Sequence, residues 1–435
     1  MKKIAILVFF TVGFFVHVWA CTGLIAGKQA TVDGSVLVTY SADSHTLYGA
    51  LTSSPAADWP KGSMRSIVEW DTNKPLGEIE QVEHTYAVIG NMNEHQLTVV
   101  ESTWGGRPEL VDTTGIIDYG SLMQLALERA KTAREAIKVM TGLVKKYGYY
   151  SSGESFTIAD PNEAWILDLI GKGPGRRGAV WVAVRIPDDC IAGHANYPRI
   201  HKIPMDDKEN CLYSPDVISF AREMGYFDGL NKDFSFARAY SPADFGALRA
   251  CDARVWSFFR KYDSTMDNYL PYVNGESAEP FPLYVKPSRK LSVQDMKEAM
   301  RDHFEDTPFD MTQDVGAGPF KVPYRFRPMS FEVDGKSYCM ERAIATQQTG
   351  FTLVGQMRNW LPDPVGGVLW FGVDDANTCV YIPMYCGITQ VPECFSPENG
   401  SMYDFSWTSA FWIHNWVANM AYARYEPCLL YTSPS

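Results

Sequence analysis

The chain has 435 residues, 46% of them hydrophobic, and its formal net charge is −12. Its length allows one large domain or two smaller ones, and its acidic balance argues against nucleic acid or an anionic membrane surface as a partner. The nine cysteines are scattered, and CxxC, HExxH and GxxxxGK[ST] motifs are absent from the sequence, so it indicates no disulfide scaffold, metal site or cofactor.

The chain begins with an apolar leader that runs into a cysteine. Residues 4–19 are almost wholly apolar, and Val18 and Ala20 have the small-x-small spacing that a signal peptidase reads before Cys21. We therefore predict that residues 1–20 are a signal peptide. Cys21 would then be the first residue of a secreted or periplasmic protein.

A processed Cys21 would carry a thiol and a free α-amine on one residue. Their ordinary pKa values are about 8.5 and about 7.7–8.0. Near neutral pH an appreciable fraction of the amine is therefore uncharged and can take the thiol proton, which makes Cys21 a candidate nucleophile.

A lipoprotein signal is the competing interpretation of the same leader. Cys21 would then be lipidated on sulfur and acylated on nitrogen, and the chain would be a lipid-anchored binding protein. Residues 24–26 are an apolar strand directly after Cys21, whereas a lipoprotein generally has a flexible polar tether there. This pattern favours the nucleophile.

The first element of the mature chain is predicted to be a β-hairpin. Residues 22–40 place apolar and β-branched residues on both sides of the turn signal Asp33-Gly34. Asp43 follows the second strand and should therefore lie close to Cys21.

The later elements are predicted from periodicity, capping residues and turn signals. The glycine-rich residues 171–178 lack the Lys-Ser/Thr and the helix of a phosphate-binding loop, so a hairpin loop is expected there. The predicted strands are 85–90, 97–103, 155–159, 164–169, 181–186, 328–333, 343–356 and 368–384, and the predicted helices are 119–147 with a capping box at Thr132, three starting near Ser214, Ser241 and Ser292, and 406–425. This order indicates a layered α+β protein with mostly antiparallel sheets.

The last eight residues do not continue the pattern. Residues 428–435 end an aromatic helix abruptly and resemble the translation of a transposase adaptor. We expect them to be an artefactual tail, with the natural C-terminus missing, and we assign residues 21–427 to one catalytic domain.

Several short motifs follow one another along the chain, each occurring once. They are Cys21-Thr22, Asp33-Gly34-Ser35, Asp43-Ser44, Gly90-x-Met92-Asn93-Glu94-His95, Trp165 with Ile186-Pro187-Asp188-Asp189, Ala195-Asn196-x-x-Arg199-Ile200, Arg254-Val255-Trp256, Asp310-Met311-Thr312-x-Asp314-Val315-Gly316-Ala317-Gly318-Pro319 and Thr346-Gln347-Gln348-Thr349-Gly350-Phe351. In this number and order, the motifs resemble the dipeptidase-A-like family of cysteine N-terminal-nucleophile hydrolases. The resemblance spans most of residues 21–426 and extends more distantly to penicillin V acylases and bile-salt hydrolases.

The resemblance implies a four-layer αββα sandwich and a thiol peptidase that needs no cofactor. It implies that Cys21 is the nucleophile and that Asp43 positions its α-amine. Asn196 would donate to the oxyanion, and Arg254 would lower the thiol pKa or pair with a substrate carboxylate. The expected substrate is a dipeptide or short peptide, and a homo-oligomer is possible; an acylase for a non-peptide amide is the alternative.

Two departures from the family pattern concern the site. Residues 40–42 are Tyr-Ser-Ala where relatives commonly carry Arg-Asn-Glu, so an arginine near the thiolate is missing from this strand. The oxyanion asparagine of the acylases is also absent from the second hairpin, where Glu101, Ser102 or Thr103 stands instead. Asn93, Glu101 and Thr103 are the candidate substrate-binding residues.

Overall fold

A computed structural model of the chain describes residues 21–325 and 330–432. The predicted signal peptide, residues 1–20, lies outside the described residues. The predicted tail from residue 428 is described only as far as Thr432, within the last helix.

The strands of the described ranges mostly join two large sheets. In chain order they are β1 (Thr22–Ala26), β2 (Val36–Asp43), β3 (Ser53–Ser54), β4 (Ala57–Asp58), β5 (Met64–Val68), β6 (Pro75–Glu80), β7 (His84–Thr85), β8 (Val88–Ile89), β9 (Met92–Asn93), β10 (Thr98–Trp104), β11 (Gly153–Ala159), β12 (Ala164–Gly171), β13 (Ala179–Ile186), β14 (Ile191–His194), β15 (Cys211–Tyr213), β16 (Tyr284–Val285), β17 (Ser330–Val333), β18 (Lys336–Cys339), β19 (Thr349–Met357), β20 (Val368–Val373) and β21 (Ile382–Tyr385).

The α-helices of the same ranges lie between these strands or after them. They are α1 (Tyr119–Arg129), α2 (Ala133–Tyr147), α3 (Val217–Glu223), α4 (Phe236–Tyr240), α5 (Ala253–Arg260), α6 (Leu270–Val273), α7 (Val293–Met300), α8 (Asp363–Gly366), α9 (Ala410–Tyr422) and α10 (Tyr425–Thr432). None of the helices in the described ranges is long and apolar enough to cross a bilayer.

Both large sheets are antiparallel, as the sequence predicts. The seven-stranded sheet has the order β16-β14-β1-β2-β19-β20-β21, and the eight-stranded sheet has the order β15-β13-β12-β11-β10-β9-β8-β3. The predicted first hairpin is confirmed, because β1 and β2 pair with Thr22 opposite Ser41. Strand β1 therefore lies inside its sheet, between β14 and β2, with Cys21 just before its first residue.

Strand alternation divides the core into separate clusters. Ile25 and Val38 pack in one cluster with residues of the eight-stranded sheet, such as Ile166. Their neighbours Leu24 and Leu37 belong to a second cluster with helices α5 and α7. Because these two clusters lie on opposite faces of β1, the strand next to the candidate nucleophile is packed on both faces. A third cluster joins the eight-stranded sheet to helices α1 and α2.

Some predicted helix boundaries are wrong. The single helix predicted for residues 119–147 is two helices, because the chain turns extended at Ala130 and restarts at Thr132, whose side chain accepts from the Glu135 amide. Ser241 ends α4 rather than starting the next helix. The capping box predicted at Ser292 is confirmed, with Asp295 as its reciprocal partner.

The C-terminal strands and helix are shorter than their predicted ranges. The predicted strand 343–356 begins only at Thr349, and the range 368–384 divides into β20 and β21 around a turn. The hairpin loop predicted for 171–178 is confirmed, because Gly171 pairs with Ala179 across β12 and β13.

Candidate active site

Cys21 lies at the head of β1 and is almost completely buried. Its side chain is 3% exposed, and its sulfur lies 3.7 Å from the Tyr40 hydroxyl oxygen. The Cys21 carbonyl accepts a hydrogen bond of 2.8 Å from Arg254. Both the side chain and the backbone of Cys21 are therefore fixed by neighbouring groups.

The Cys21 side chain lines a cavity of about 290 Å³. We call this space the Cys21 cavity. Its lining residues are Cys21, Tyr40, Ala42, Asp43, Ser44, Thr46, Leu47, Tyr48, Ala50, Thr52, Trp70, Asp71, Gly90, Asn91, Glu101, Tyr119, Gly120, Met123, Gln124, Leu127, Phe351, Phe371 and Pro397. Three of them are acids, and none of these described residues is a lysine or an arginine. The cavity is therefore suited to a ligand group that carries positive charge.

Asp43 ends β2 and is held by three donors. Its carboxylate accepts from Ser41 Oγ at 3.0 Å, from Thr349 Oγ1 at 2.6 Å and from Arg342 Nη2 at 2.6 Å. Asp43 is 1% exposed, so Arg342 compensates a carboxylate charge that would otherwise be buried alone. A carboxylate has about four lone-pair sites, which leaves room for one more donor such as the Cys21 α-amine.

Arg342 is a site residue that the sequence analysis missed. It lies 299 positions from Asp43 and only four residues before the Thr346 motif. The motif pattern did not extend to it, and a single arginine in an irregular segment gives no periodic signal.

Arg254 uses all its N–H groups within the protein. Its Nε donates to the Ala250 carbonyl at 2.9 Å. Its two terminal nitrogens donate to the Cys21 carbonyl, Thr22 Oγ1, the Ala195 carbonyl and Asn196 Oδ1, at 2.8, 2.7, 3.2 and 2.7 Å.

These contacts limit what Arg254 can do. Burial and the neighbouring Arg342 lower the pKa of Arg254 to about 10, so it stays charged at neutral pH. It is not among the residues that line the Cys21 cavity. The predicted pairing with a substrate carboxylate would have to displace one of its protein hydrogen bonds, and the geometry supports a positioning role at the head of β1.

Asn196 connects Arg254 to the C-terminal end of β10, an inner strand of the eight-stranded sheet. Its Oδ1 accepts from Arg254, and its Nδ2 donates to the Thr103 carbonyl at 2.6 Å. Its φ of 56° lies in the left-handed region, where asparagine is among the better-tolerated residues. The amide nitrogen has a second hydrogen for the predicted role as an oxyanion donor, but Asn196 is not among the residues that line the Cys21 cavity.

Of the three candidate substrate-binding residues, only Glu101 lines the Cys21 cavity. Asn93 instead donates to the carbonyls of Leu127 and Ala130 at 2.8 Å each and fixes the end of α1. Thr103 lines an adjacent cavity of about 320 Å³ and donates to Glu154 at 2.7 Å. Direct substrate contact by Asn93 or Thr103 in the Cys21 cavity therefore has no support in the geometry.

Glu101 is the centre of a buried hydrogen-bond network. It accepts from the Tyr40 hydroxyl, and Thr103 Oγ1 lies between it and Glu154, 3.5 Å from Glu101 Oε2 and 2.7 Å from Glu154 Oε1. Burial raises the pKa of Glu101, and burial together with the Glu101 charge raises that of Glu154 further. Two adjacent buried carboxyls cannot both ionise readily, and the larger rise of its pKa makes Glu154 the one that keeps its proton more readily.

The surroundings of Cys21 make its thiol less acidic than an ordinary cysteine thiol. Burial raises its pKa, and the charges of Glu101 and Asp43 raise it further, while the Tyr40 contact acts in the opposite direction. A nearby group must therefore accept the thiol proton for the sulfur to attack.

The buried histidine near the site is held as a neutral group. His194 lies between Ser102 Oγ at 2.6 Å and Thr157 Oγ1 at 2.8 Å, and burial lowers its pKa to about 3. It does not line the Cys21 cavity. His194 is therefore not placed in the cavity to accept the Cys21 thiol proton.

The sequence analysis also missed the loop between β5 and β6. Trp70 packs on Gly120, where a Cβ would lie 2.4 Å from the indole Cγ. The Asp71 residue is largely exposed, but its carboxyl accepts from the buried Tyr119 hydroxyl at 2.8 Å. Desolvation of this carboxyl raises its pKa to about 6.

The sequence model of Peptidase family C69 matches residues 20–430. A "Probable dipeptidase" of Latilactobacillus sakei is 24% identical over 429 residues, which are 93% of this chain and 82% of the relative. A "Probable dipeptidase" of Salmonella dublin is 27% identical over 396 residues (85% and 81%), and "Dipeptidase A" of Lactobacillus helveticus is 24% identical over 430 residues (93% and 82%).

The ion pair of Asp43 and Arg342 predicts a large effect on stability. We expect Arg342→Met to lower the free energy of unfolding by about 3–5 kcal/mol, because it leaves a buried charge unpaired. Arg176 pairs with Glu223 on the surface, with side chains 45% and 59% exposed. We expect the control Arg176→Met to change stability by at most about 1 kcal/mol. Denaturant titration of both variants tests this, and equal losses would contradict it.

Proposed function

The chain belongs to peptidase family C69, and we propose that it hydrolyses dipeptides with Cys21 as an N-terminal nucleophile. The observation that carries the proposal is a buried cysteine at a strand head that lines a small acidic cavity. Ligand pockets measure about 300–1,000 Å³, so a cavity at the lower limit fits two residues better than a long peptide.

We propose the following course for the reaction. In its uncharged form the α-amine of Cys21 takes the thiol proton. The thiolate then attacks the peptide carbonyl, and the second hydrogen of Asn196 Nδ2 is available to the developing oxyanion. The α-amine of processed Cys21 gives a proton to the leaving amine, held by the remaining acceptor site of Asp43. Water then hydrolyses the acyl-enzyme.

The acids of the cavity support recognition of a free amino terminus. Asp71 and Glu101 line the same space as Cys21, and the α-ammonium of a dipeptide lies close to its scissile carbonyl. A non-peptide amide without a cationic group would leave these acids uncompensated. Dipeptide hydrolysis is therefore favoured over the acylase alternative.

The lipoprotein alternative is disfavoured by the packing of Cys21. Lipidation would attach an acyl-bearing group to a sulfur that is surrounded by protein, on a residue whose carbonyl is held by Arg254. We propose instead that residues 1–20 are removed as a signal peptide and that the mature enzyme is secreted or periplasmic. An intact mass with an unmodified Cys21 at the N-terminus is the expected result, and added acyl mass would contradict it.

We propose the αββα arrangement for the catalytic domain. The cluster of Ile25 and Ile166 contains residues of both large sheets, and the clusters of α5 with α7 and of α1 with α2 each cover one sheet. Helix-sheet-sheet-helix layering accounts for all three clusters.

Removal of the nucleophile should abolish activity without unfolding the protein. We expect Cys21→Ser and Cys21→Ala to lose dipeptide turnover by several orders of magnitude, as in other nucleophile deletions. The control is Cys190→Ser, because burial raises the pKa of that thiol to about 12 and it does not line the cavity. Steady-state kinetics on a panel of dipeptides checks this; turnover in processed Cys21→Ala would exclude cysteine catalysis.

Asn196 should act mainly in the transition state. We expect Asn196→Ala to lower kcat by roughly 10²–10³-fold, or about 2.7–4 kcal/mol, with little change in KM. Asn196→Asp keeps the Oδ1 acceptor for Arg254 but replaces the donor, so it should also lose kcat. A lowered melting temperature with nearly unchanged kcat in both variants would leave Asn196 a structural role alone.

Recognition of the amino terminus should depend on charge. We expect N-acetylation of a good dipeptide substrate to cost about 1.5–3 kcal/mol in kcat/KM, as for loss of a hydrogen bond to a charged group. Asp71→Asn should raise KM for the free dipeptide more than for its acetylated form. The control is Glu78→Gln, an exposed acid on the same β5–β6 hairpin. Equal kcat/KM for free and acetylated dipeptides would contradict the proposed recognition.

A further inference from the structure

Tyr40 is the side chain that contacts the reactive sulfur. It lies on β2, opposite Gly23 of β1 and Leu353 of β19, and it is 4% exposed. Its ring packs edge-on against Phe351 with a centroid distance of 5.7 Å. Strand pairing and ring packing therefore hold the Tyr40 hydroxyl between Cys21 and Glu101.

The hydrogen bonds of this hydroxyl have a defined direction. The Tyr40 O–H donates to Glu101 Oε1, and a phenol has one hydrogen to give. Toward the Cys21 sulfur, at 3.7 Å, the Tyr40 oxygen can then act only as an acceptor. The resting arrangement is a chain in which the Cys21 S–H donates to Tyr40 and the Tyr40 O–H donates to Glu101.

We propose that Tyr40 is a further catalytic residue, which passes the thiol proton of Cys21 to Glu101 and then hydrogen-bonds the thiolate. The inference rests on the proposed cysteine chemistry. The S–H bond breaks as the proton forms a bond to the Tyr40 oxygen, and the former Tyr40 proton moves to Glu101 Oε1. The products are a thiolate, a neutral tyrosine whose O–H now points to sulfur, and a neutral Glu101 carboxyl. The proton returns to the sulfur by the same route when water releases the acyl group. While Glu101 is neutral, Asp71 is the cavity acid left to face a substrate ammonium.

The charges around the sulfur favour this transfer. Carboxyls from three strands face this region: Asp43 from β2, Glu101 from β10 and Glu154 from β11, with the Tyr119 hydroxyl from α1. The Glu101 charge opposes thiolate formation, so protonating Glu101 removes a repulsion while the thiolate forms. Burial also makes Glu101 a better proton acceptor than an exposed glutamate.

The relay leaves the α-amine free for a different task. Below its ordinary pKa of about 7.7–8.0 most of the α-amine is an ammonium group, and only the smaller uncharged fraction can accept the thiol proton. It can still donate to the leaving amine. The Tyr40 route would therefore matter most near neutral pH and least where the amine is deprotonated.

Thiol alkylation tests the relay without any substrate. The rate at which iodoacetamide modifies Cys21 in the purified, processed protein is measured from pH 6 to 9 by mass spectrometry of the Cys21 peptide. We expect Tyr40→Phe to slow modification on the order of 10²-fold at pH 7, a typical contribution of general acid–base catalysis, and much less at pH 9. With a dipeptide, kcat should fall similarly and KM should change little.

A second variant separates proton transfer from packing. Glu101→Gln still accepts the Tyr40 hydrogen bond but takes no proton, and it removes the charge that opposes the thiolate. Its thiol proton must go to solvent, so its modification rate should rise more steeply with pH than that of the original protein, as in Tyr40→Phe. The matched control is Tyr381→Phe, which removes a buried hydroxyl bonded to Thr352 and outside the Cys21 cavity. Cys21 of this variant should be alkylated at the same rate, and with the same pH profile, as Cys21 of the protein without substitutions.

The outcomes are decisive in each direction. Alkylation at the original rate and pH profile in Tyr40→Phe overturns the relay. An unchanged pH profile of alkylation in Glu101→Gln does so as well, even if Tyr40→Phe is slow or unstable. If Cys21 is alkylated as expected in the original protein and in the variants, but the original protein hydrolyses no dipeptide, the relay stands and the proposed substrate class fails.

Discussion

The guanidinium of Arg254 fixes the part of the molecule on which the chemistry depends. It joins Cys21 at the head of β1 with Asn196 beyond β14 and with the turn before α5, and each of its N–H groups reaches an oxygen of the protein. A buried cation with all donors used tolerates little movement, because breaking one hydrogen bond leaves an N–H group without water. The nucleophile therefore sits on a rigid support rather than on a loose chain terminus.

The site holds several acids close to one sulfur, and each acid is stabilised in a different way. Asp43 has the cation Arg342 and two hydroxyl donors. Glu101 lies beside Glu154, whose pKa is raised further and which therefore keeps its proton more readily, and Asp71 stays partly in contact with solvent. A thiolate close to these groups is possible because the charge nearest to it, that of Glu101, can be removed by one proton.

Local sequence signals predicted the elements that short-range rules control. The β1–β2 hairpin follows from the Asp33-Gly34 turn, and α7 follows from the Ser292 capping box. Periodicity did not reveal the break between α1 and α2, because the two apolar faces continue across Ala130 into the same cluster. Strand order beyond the hairpins depends on long-range pairing, which composition and spacing do not encode.

The contacts of the site also divide into those that the sequence predicts and those that it does not. Cys21 and Asp43 could be brought together from the sequence because adjacent paired strands carry them. The contacts of Tyr40 with Glu101 and of Asp43 with Arg342 join residues 61 and 299 positions apart. These contacts depend on how the two sheets stack and where one irregular segment crosses, and no local pattern reports either.

The proposed role of Tyr40 depends on Glu101. The resemblance noted in the sequence places an arginine where Tyr40 stands, and a cation there would stabilise the thiolate by charge alone. A neutral phenol cannot supply that charge, but it can transmit a proton if a base lies behind it. Glu101 is buried behind Tyr40 and accepts its hydrogen bond. Exchange of the arginine for tyrosine would thus replace electrostatic activation of the thiol by proton transfer, with Glu101 as the group that makes the exchange chemically workable.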